Sequence, residues 1–176
     1  MVTDKPPPRI VGSPGGRCYW WARLGKKEIR ETKQRLIKVI DVTAFMVVAN
    51  NMYSTVIHCQ LEDGRSLSLY HVPYEIVIAL NNLEQIEETA VVRASIFDIL
   101  PQLAFFKEGI SKILHRVIID KLDLNTGLYT ATAEFRFGEL IVKRNMIPSH
   151  AIYLATVAGK PIYVTEELVS RYGEEE

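Results

Sequence analysis

The sequence predicts an α+β domain, a mainly antiparallel sheet with helices packed on it. Three observations lead there. Stretches such as 53–62 and 128–137 alternate with period two, as strands do. Turn residues join these stretches at hairpin spacing, Asp63-Gly64 most clearly, because both residues tolerate positive φ. The pattern also recurs: Asn51 to Gly64 and Asn125 to Gly138 are each 13 residues, and a proline follows 9 or 10 residues later. A duplicated βββα unit with copies about 75 residues apart accounts for this spacing.

The elements follow in order. Residues 1–33 form a Pro/Gly-rich basic arm, 34–170 the body and 171–176 an acidic tail. Pro6-Pro7-Pro8, Pro14 and the nearby glycines disfavour regular structure at the start of the arm. Residues 36–48 are rich in Ile and Val and predict a buried strand. After the turn at Asn50-Asn51, the alternating residues 53–62 and 65–72 predict a hairpin around Asp63-Gly64. Pro73 opens a helix with Ile76, Leu80 and Leu83 on one face, since proline in the first turn forfeits no hydrogen bond. An acidic stretch, 84–88, and a short strand, 89–94, lead to a helix from Ser95 to about Glu108, which Pro101 should kink or delay. Residues 114–124, 128–137 and 140–147 predict three further strands. Pro148 then opens a helix ended by Gly159. A last strand at 162–164, a short helix at 166–172 and a frayed Glu174-Glu175-Glu176 complete the chain.

Composition narrows the function. Hydrophobic residues are 48% and charged residues 24% of the 176, enough for a sizeable core. The net charge of +0 excludes a uniformly basic nucleic-acid binder. It does not exclude a local patch: residues 1–35 hold nine bases and three acids, a net +6, and the remainder carries −6. Tyr19, Trp20 and Trp21 would stack on bases while Arg17, Arg23, Lys26 and Lys27 meet phosphates, or the aromatics would pin the arm to the body. Cys18 and Cys59 are too few for a disulfide framework or a multi-thiolate zinc site, though one bridge stays open. No secretory signal is visible and no apolar run is long enough to span a bilayer, so a cytoplasmic protein with no membrane partner is expected. Phosphate-loop, nucleophile-elbow and zinc-deaminase signatures are absent.

The second copy carries a resemblance. Arg116-Val117-Ile118-Ile119, Pro148-Ser149-His150-Ala151-Ile152-Tyr153-Leu154-Ala155 and Gly159-Lys160-Pro161-Ile162-Tyr163-Val164 together resemble the bifunctional nuclease domain family, also known as a domain of unknown function. Asp63-Gly64 and Val72-Pro73-Tyr74-Glu75 resemble its Asp-Gly hairpin and its Gly-Pro-x-Glu turn. The resemblance covers roughly residues 36–170. It implies nuclease activity on RNA and DNA, and a homo-oligomer, a dimer. Two motifs depart from the family pattern. Arg-Pro-Ser-Asp is replaced by Ile147-Pro148-Ser149-His150, and Thr-His-Asp by Ile96-Phe97-Asp98. Glu75, Asp98 and Ser149 remain.

A hydrolytic nuclease activates water and stabilises charge on phosphate, often through a carboxylate-held metal. Glu75 and Asp98 would hold a divalent ion, Mg or Mn, and His150 would serve as base or ligand, if the two Pro-initiated helices start near each other. Each residue has a plainer alternative. Asp98 completes a capping box with Ser95, Glu75 suits the first turn of a helix, and His150 reads as a surface histidine. His58 and His71 lie on predicted strands, read as structural histidines, and like His115 show no metal-ligand spacing. Two functions stay open: a domain acting on or binding nucleic acid, with weak or lost hydrolysis, and a non-catalytic oligomeric module.

Overall fold

The computed structural model describes residues 34–49, 52–83 and 93–175. Arg17, Trp20, Trp21, Arg23, Lys26 and Lys27 of the arm lie outside the described residues, as do Asn50-Asn51, the acidic stretch 84–88 and residues 89–92 of the short strand expected at 89–94, whose last two residues, Arg93 and Ala94, are not in a strand.

The described chain is α+β with a mostly antiparallel sheet. Strands β1 (Leu36–Ala49), β2 (Met52–Leu61) and β3 (Arg65–Tyr70) form one meander, followed by α1 (Tyr74–Leu83). Strands β4 (Leu114–Asp123), β5 (Leu128–Phe137) and β6 (Leu140–Met146) form another, followed by α4 (Pro148–Ala158). Between them lie α2 (Ile96–Ile99), a 3-10 turn (Leu100–Gln102) and α3 (Ala104–Ile113). The chain then adds β7 (Ile162–Thr165), α5 (Glu166–Tyr172) and β8 (Glu174–Glu175). The sheet order is β6-β5-β4-β7-β1-β2-β3-β8, so β7 stands between the two meanders. It runs antiparallel to β1 and parallel to β4, the parallel pair of this sheet.

The core lies between the sheet and the pair α1 and α4. Ile57, Leu61, Leu67, Val117, Ile119 and Val164 meet Ile76, Leu80, Ile152 and Tyr153 there. The sequence pattern gave α4 one apolar face, but it is buried on nearly every side, including Ala151, Ile152, Tyr153, Ala155, Val157 and Ala158. Its alanines let neighbours approach closely, and a helix apolar all round belongs inside. Gly159 ends it at φ 62, a left-handed conformation that glycine adopts at little cost.

Three differences from the sequence reading have physical causes. The helix expected from Ser95 is broken into α2, the 3-10 turn and α3, because Pro101 has no N–H for the helical ladder. The glutamates expected to fray instead pair as β8 with Arg65 and Ser66. Gly173 permits the approach, since a Cβ there would fall 2.5 Å from the Val169 carbonyl oxygen. The buried strand expected at 36–48 is buried only in part. Ile37, Val39 and Ala44 are covered, whereas Phe45 to Val48 are exposed. Among the described residues no helix is long and apolar enough to cross a membrane.

The polar face of β5 is also buried. Glu134 is 2% exposed, with Arg116 Nε donating to it at 2.6 Å and Lys143 Nζ at 3.4 Å. Thr132 donates to Asp120 at 2.7 Å. Burial opposes the charge of Glu134, but Arg116 and Lys143 outweigh it and hold the carboxyl below its ordinary value. Stability from such a group is complete above its unfolded pKa of about 4.3 and fades as pH falls through the lower folded value. Glu134→Gln should therefore cost about 2–3 kcal/mol at neutral pH, less than a fully buried pair because Arg116 and Lys143 stay partly hydrated. In thermal unfolding the difference from the native chain should shrink as pH falls from about 5 to about 3. A difference independent of pH would sink this account.

Candidate functional site

The starts of α1 and α4 meet at one cavity. Each follows a strand, β3 or β6, and each begins beside a proline. Pro148 is the first residue of α4, as expected. Pro73 stands just before α1, its carbonyl accepting from the N–H groups of Ile76 and Val77. The cavity has a volume of about 120 Å³ and is walled by residues 69–73, 127–129 and 147–149. Known small-molecule pockets run to about 300–1,000 Å³, so this space suits a small group rather than a whole cofactor.

Two features of its wall are unusual. Ser149 is 3% exposed, and its hydroxyl has no hydrogen-bond partner. As the second residue of α4, its N–H also lacks an intrahelical acceptor, in the turn where the helix dipole favours an anion. His71 is exposed at φ 56, in the left-handed region that non-glycine residues seldom occupy. It closes the turn from β3 into α1. Tyr70 and Ile147, which line the cavity, are exposed, and so is Tyr74, the first residue of α1.

The sequence-predicted residues are distributed unevenly around this point. Ser149 lines the cavity. Glu75 is exposed in the first turn of α1. Asp98 is engaged elsewhere: it accepts from the Ser95 N–H at 2.8 Å, the Ser95 hydroxyl at 2.7 Å and Asn82 Nδ2 at 3.0 Å. Asn82 lies seven residues beyond Glu75 along α1, about 10 Å at 1.5 Å per residue. Glu75 and Asp98 thus attend opposite ends of one helix and are not brought together. Among the described residues no three His, Cys, Asp or Glu side chains are grouped so as to hold a metal ion. The residues expected to bind a divalent ion do not fit one jointly. Partial burial works against the charge of Asp98, but the donors from Ser95 and Asn82 prevail and keep its carboxyl below the ordinary value.

His150 turns to a different partner. Its ring meets Phe97 edge to face at a centroid distance of 5.4 Å, and Tyr153 meets the same ring from 5.2 Å. One turn apart on α4, the two rings clasp Phe97 and tie α2 down. The Tyr153 hydroxyl donates to the Phe97 carbonyl oxygen. Burial, and then the nearby charge of Asp98, push that hydroxyl up to about 12. The sequence reading gave Tyr153 and Phe97 no role of their own, because an aromatic residue within an apolar run looks like ordinary core.

The remaining candidates have structural partners. His58 Nδ1 stands 3.2 Å from the Ser68 hydroxyl, its cross-strand neighbour. His115 lies 3.4 Å from Arg136. Cys59 is fully buried, and that burial, with a smaller effect of Asp41, pushes its thiol up to about 12, far from thiolate chemistry.

No protein-family model matches this chain, and no curated protein does.

The Phe97 clasp has a measurable weight. Tyr153→Phe removes the donor and leaves the Phe97 carbonyl without it, at a cost of about 1–3 kcal/mol. The urea midpoint should fall with the slope of the transition unchanged. An unaltered midpoint would show that this hydrogen bond contributes nothing.

Proposed function

We propose that this chain is a nucleic-acid-contacting domain similar to bifunctional nucleases, in which metal-dependent phosphodiester hydrolysis is weak or lost. The observation that carries the contact is the meeting of two helix starts at one small cavity beside a buried, unpartnered hydroxyl. Helix N-termini favour phosphate through their free N–H groups and dipole. Tyr70, exposed in the cavity wall, and Tyr74, exposed at the start of α1, offer faces on which bases stack. Glu75 opposes an anion at the start of α1, so the α4 side of the cavity is the phosphate side.

The reading of lost hydrolysis rests on a pair of substitutions that are neighbours in space. The family pattern has histidine where Phe97 stands and aspartate where His150 stands. Here those two positions touch, ring against ring. A histidine–aspartate pair at that distance scale would hold and orient a base; a phenylalanine–histidine pair packs instead. The arginine of the family motif is Ile147 here, exposed and apolar. The divalent ion expected at Glu75 and Asp98 has no step in this reading, since the two carboxylates stand apart. We also read the two βββα runs on either side of β7 as copies of one unit. Equal spacing in the sequence supports this, as does the matching order of elements.

The test is fluorescence anisotropy with single-stranded RNA and DNA 12-mers on the full chain. Affinity should fall as salt rises, because each neutralised phosphate releases counterions. Tyr70→Ala should weaken binding about tenfold or more, the range for losing one base–aromatic stack. His71→Gly should relieve a strained φ and keep or raise the melting temperature. No binding at about 50 mM salt, or affinity untouched by Tyr70→Ala and Tyr74→Ala, would overturn the proposal. Loss of binding on removing residues 1–33 alone would move the contact to the arm. With manganese present, strong cleavage abolished by His150→Ala would reinstate catalysis.

A further inference from the structure

A second cavity, of about 320 Å³, lies where β4 runs past the end of β7. β7 pairs with β4 only over Val117 to Ile119 and gives way to α5 at Glu166. From Asp120 onward β4 therefore has α5 beside it instead of a strand. Residues 120–122 and 124 form one wall, residues 167–168 and 171–172 of α5 the other, and Gln34 stands just before β1.

β4 is irregular at this point. The β4–β5 register shifts between Ile119 and Lys121, a bulge that leaves Asp120 without a cross-strand partner. Bulges of this kind re-aim a side chain and occur often beside functional sites. Asp120 Oδ2 accepts from the Thr132 hydroxyl at 2.7 Å. Its Oδ1 is covered and has no hydrogen-bond partner among the described residues. Carboxylate oxygens in such places are ordinarily hydrogen-bonded, and one left without a donor costs stability. A donor from outside the chain would satisfy it without breaking any bond already made.

The rest of the wall carries both signs. Arg171 Nη2 donates to Glu167 Oε1 at 3.0 Å, one turn away on α5, and both side chains are more than half exposed. Lys121 follows Asp120 directly. Two carboxylates thus stand with two cations, and the wall is neutral as a whole. Its apolar part comes from Leu122, Leu124, Leu168 and the ring of Tyr172.

We infer that this cavity binds a free α-amino acid with an apolar side chain. The ammonium donates to Asp120 Oδ1. The carboxylate meets Lys121 and the Arg171 N–H groups that Glu167 leaves unused, since a guanidinium carries five. The side chain rests on the leucines. A neutral wall of mixed charge complements a zwitterion, whereas Asp120 and Glu167 would repel a phosphate strand. A divalent ion takes six or more oxygen ligands, and among the described residues no three His, Cys, Asp or Glu side chains are grouped to begin such a set. Ligand pockets run to about 300–1,000 Å³, so this one, at the lower end, suits one residue and not a peptide or a nucleotide. The site is distinct from the cavity at the starts of α1 and α4 and independent of any nucleic-acid contact there. The two are neighbours: Tyr172 meets Tyr129, in the wall of the other cavity, edge to face at 6.4 Å.

Titration calorimetry of the full chain with L-leucine tests the inference. A dissociation constant of about 1 mM or tighter is expected. N-acetyl-leucine lacks the ammonium and leucinamide lacks the carboxylate, so each should bind about tenfold more weakly or worse. Glycine, which has no side chain to bury, should lose a similar factor. Asp120→Asn keeps an acceptor for Thr132 and should weaken leucine about tenfold. Lys121→Gln should weaken leucine but not leucinamide. Tyr70→Ala, in the other cavity, should leave leucine affinity unchanged. No heat with leucine up to about 10 mM would overturn the inference, as would N-acetyl-leucine binding as well as leucine. Magnesium binding that is lost in Asp120→Asn, without leucine binding, would make this an ion site instead. Should Asp120→Asn not fold, Lys121→Gln decides, because its side chain is exposed. Leucine affinity untouched by that substitution would remove the carboxylate contact and with it the proposed ligand.

Discussion

Four residues hold this sheet together. β7 is the strand that hydrogen-bonds both meanders, antiparallel to β1 and parallel to β4. Without it the chain would hold a sheet ending at β1 and another ending at β4, each with a bare apolar edge. A parallel neighbour cannot be reached by a tight turn, so β7 must arrive by a crossover. That crossover is α4, which leaves β6 at the far edge and passes beneath the sheet. Its burial and the position of β7 are thus one constraint. Gly159 turns the chain at the end of α4, and Pro161 starts the strand no earlier than Ile162. Everything that α4 carries, including Ser149, His150 and Tyr153, is placed by the demand that β7 reach its slot.

The local elements were largely legible in the sequence because their signals are local. The bounds of α5, the hairpin at Asp63-Gly64 and the start of α4 at Pro148 all follow from turn chemistry and periodicity. Sheet order was not legible, since the pairing of β7 with β4 joins residues more than 40 positions apart with no motif between them. The role of Glu174 and Glu175 was hidden for a related reason. Three glutamates read as solvated charge, and only the distant Arg65–Ser66 edge converts two of them into a strand. Glu134 misleads in the opposite direction. Alternation on β5 places it among polar residues, and its burial depends on Arg116 and Lys143 from two other strands.

The candidate site was legible in kind but not in arrangement. Two prolines opening two helices drew attention to the helix starts, and the structure does bring these starts to one cavity. Which side chains face it is a tertiary matter. Asp98 satisfies the capping rule that its spacing with Ser95 suggests, and the same hydrogen bonds use up the capacity a metal ligand would need. Capping and ligation compete for the same lone pairs, so a strong cap weakens the case for a ligand. Ser149 carries no such engagement, which makes it the informative residue of the set.

The contact between Phe97 and His150 shows what a histidine at the start of α4 does in place of charge chemistry. An acid in the first turn of α4 would be favoured by the helix dipole, and a histidine gives that up. What the position gains is an edge-to-face contact worth about 0.5–1.5 kcal/mol beyond area burial, shared with Tyr153 around one ring. Other pairings at these two positions would fare worse. A phenylalanine beside an aspartate would desolvate the charge with no donor in return. A histidine beside a histidine would set two bases where one cation is already disfavoured. The aromatic pair is consistent only as a pair, and it fastens α2 to α4 through packing instead of through charge. The packing of these three rings fixes α2 against the start of α4, close to the turn that carries Ser149.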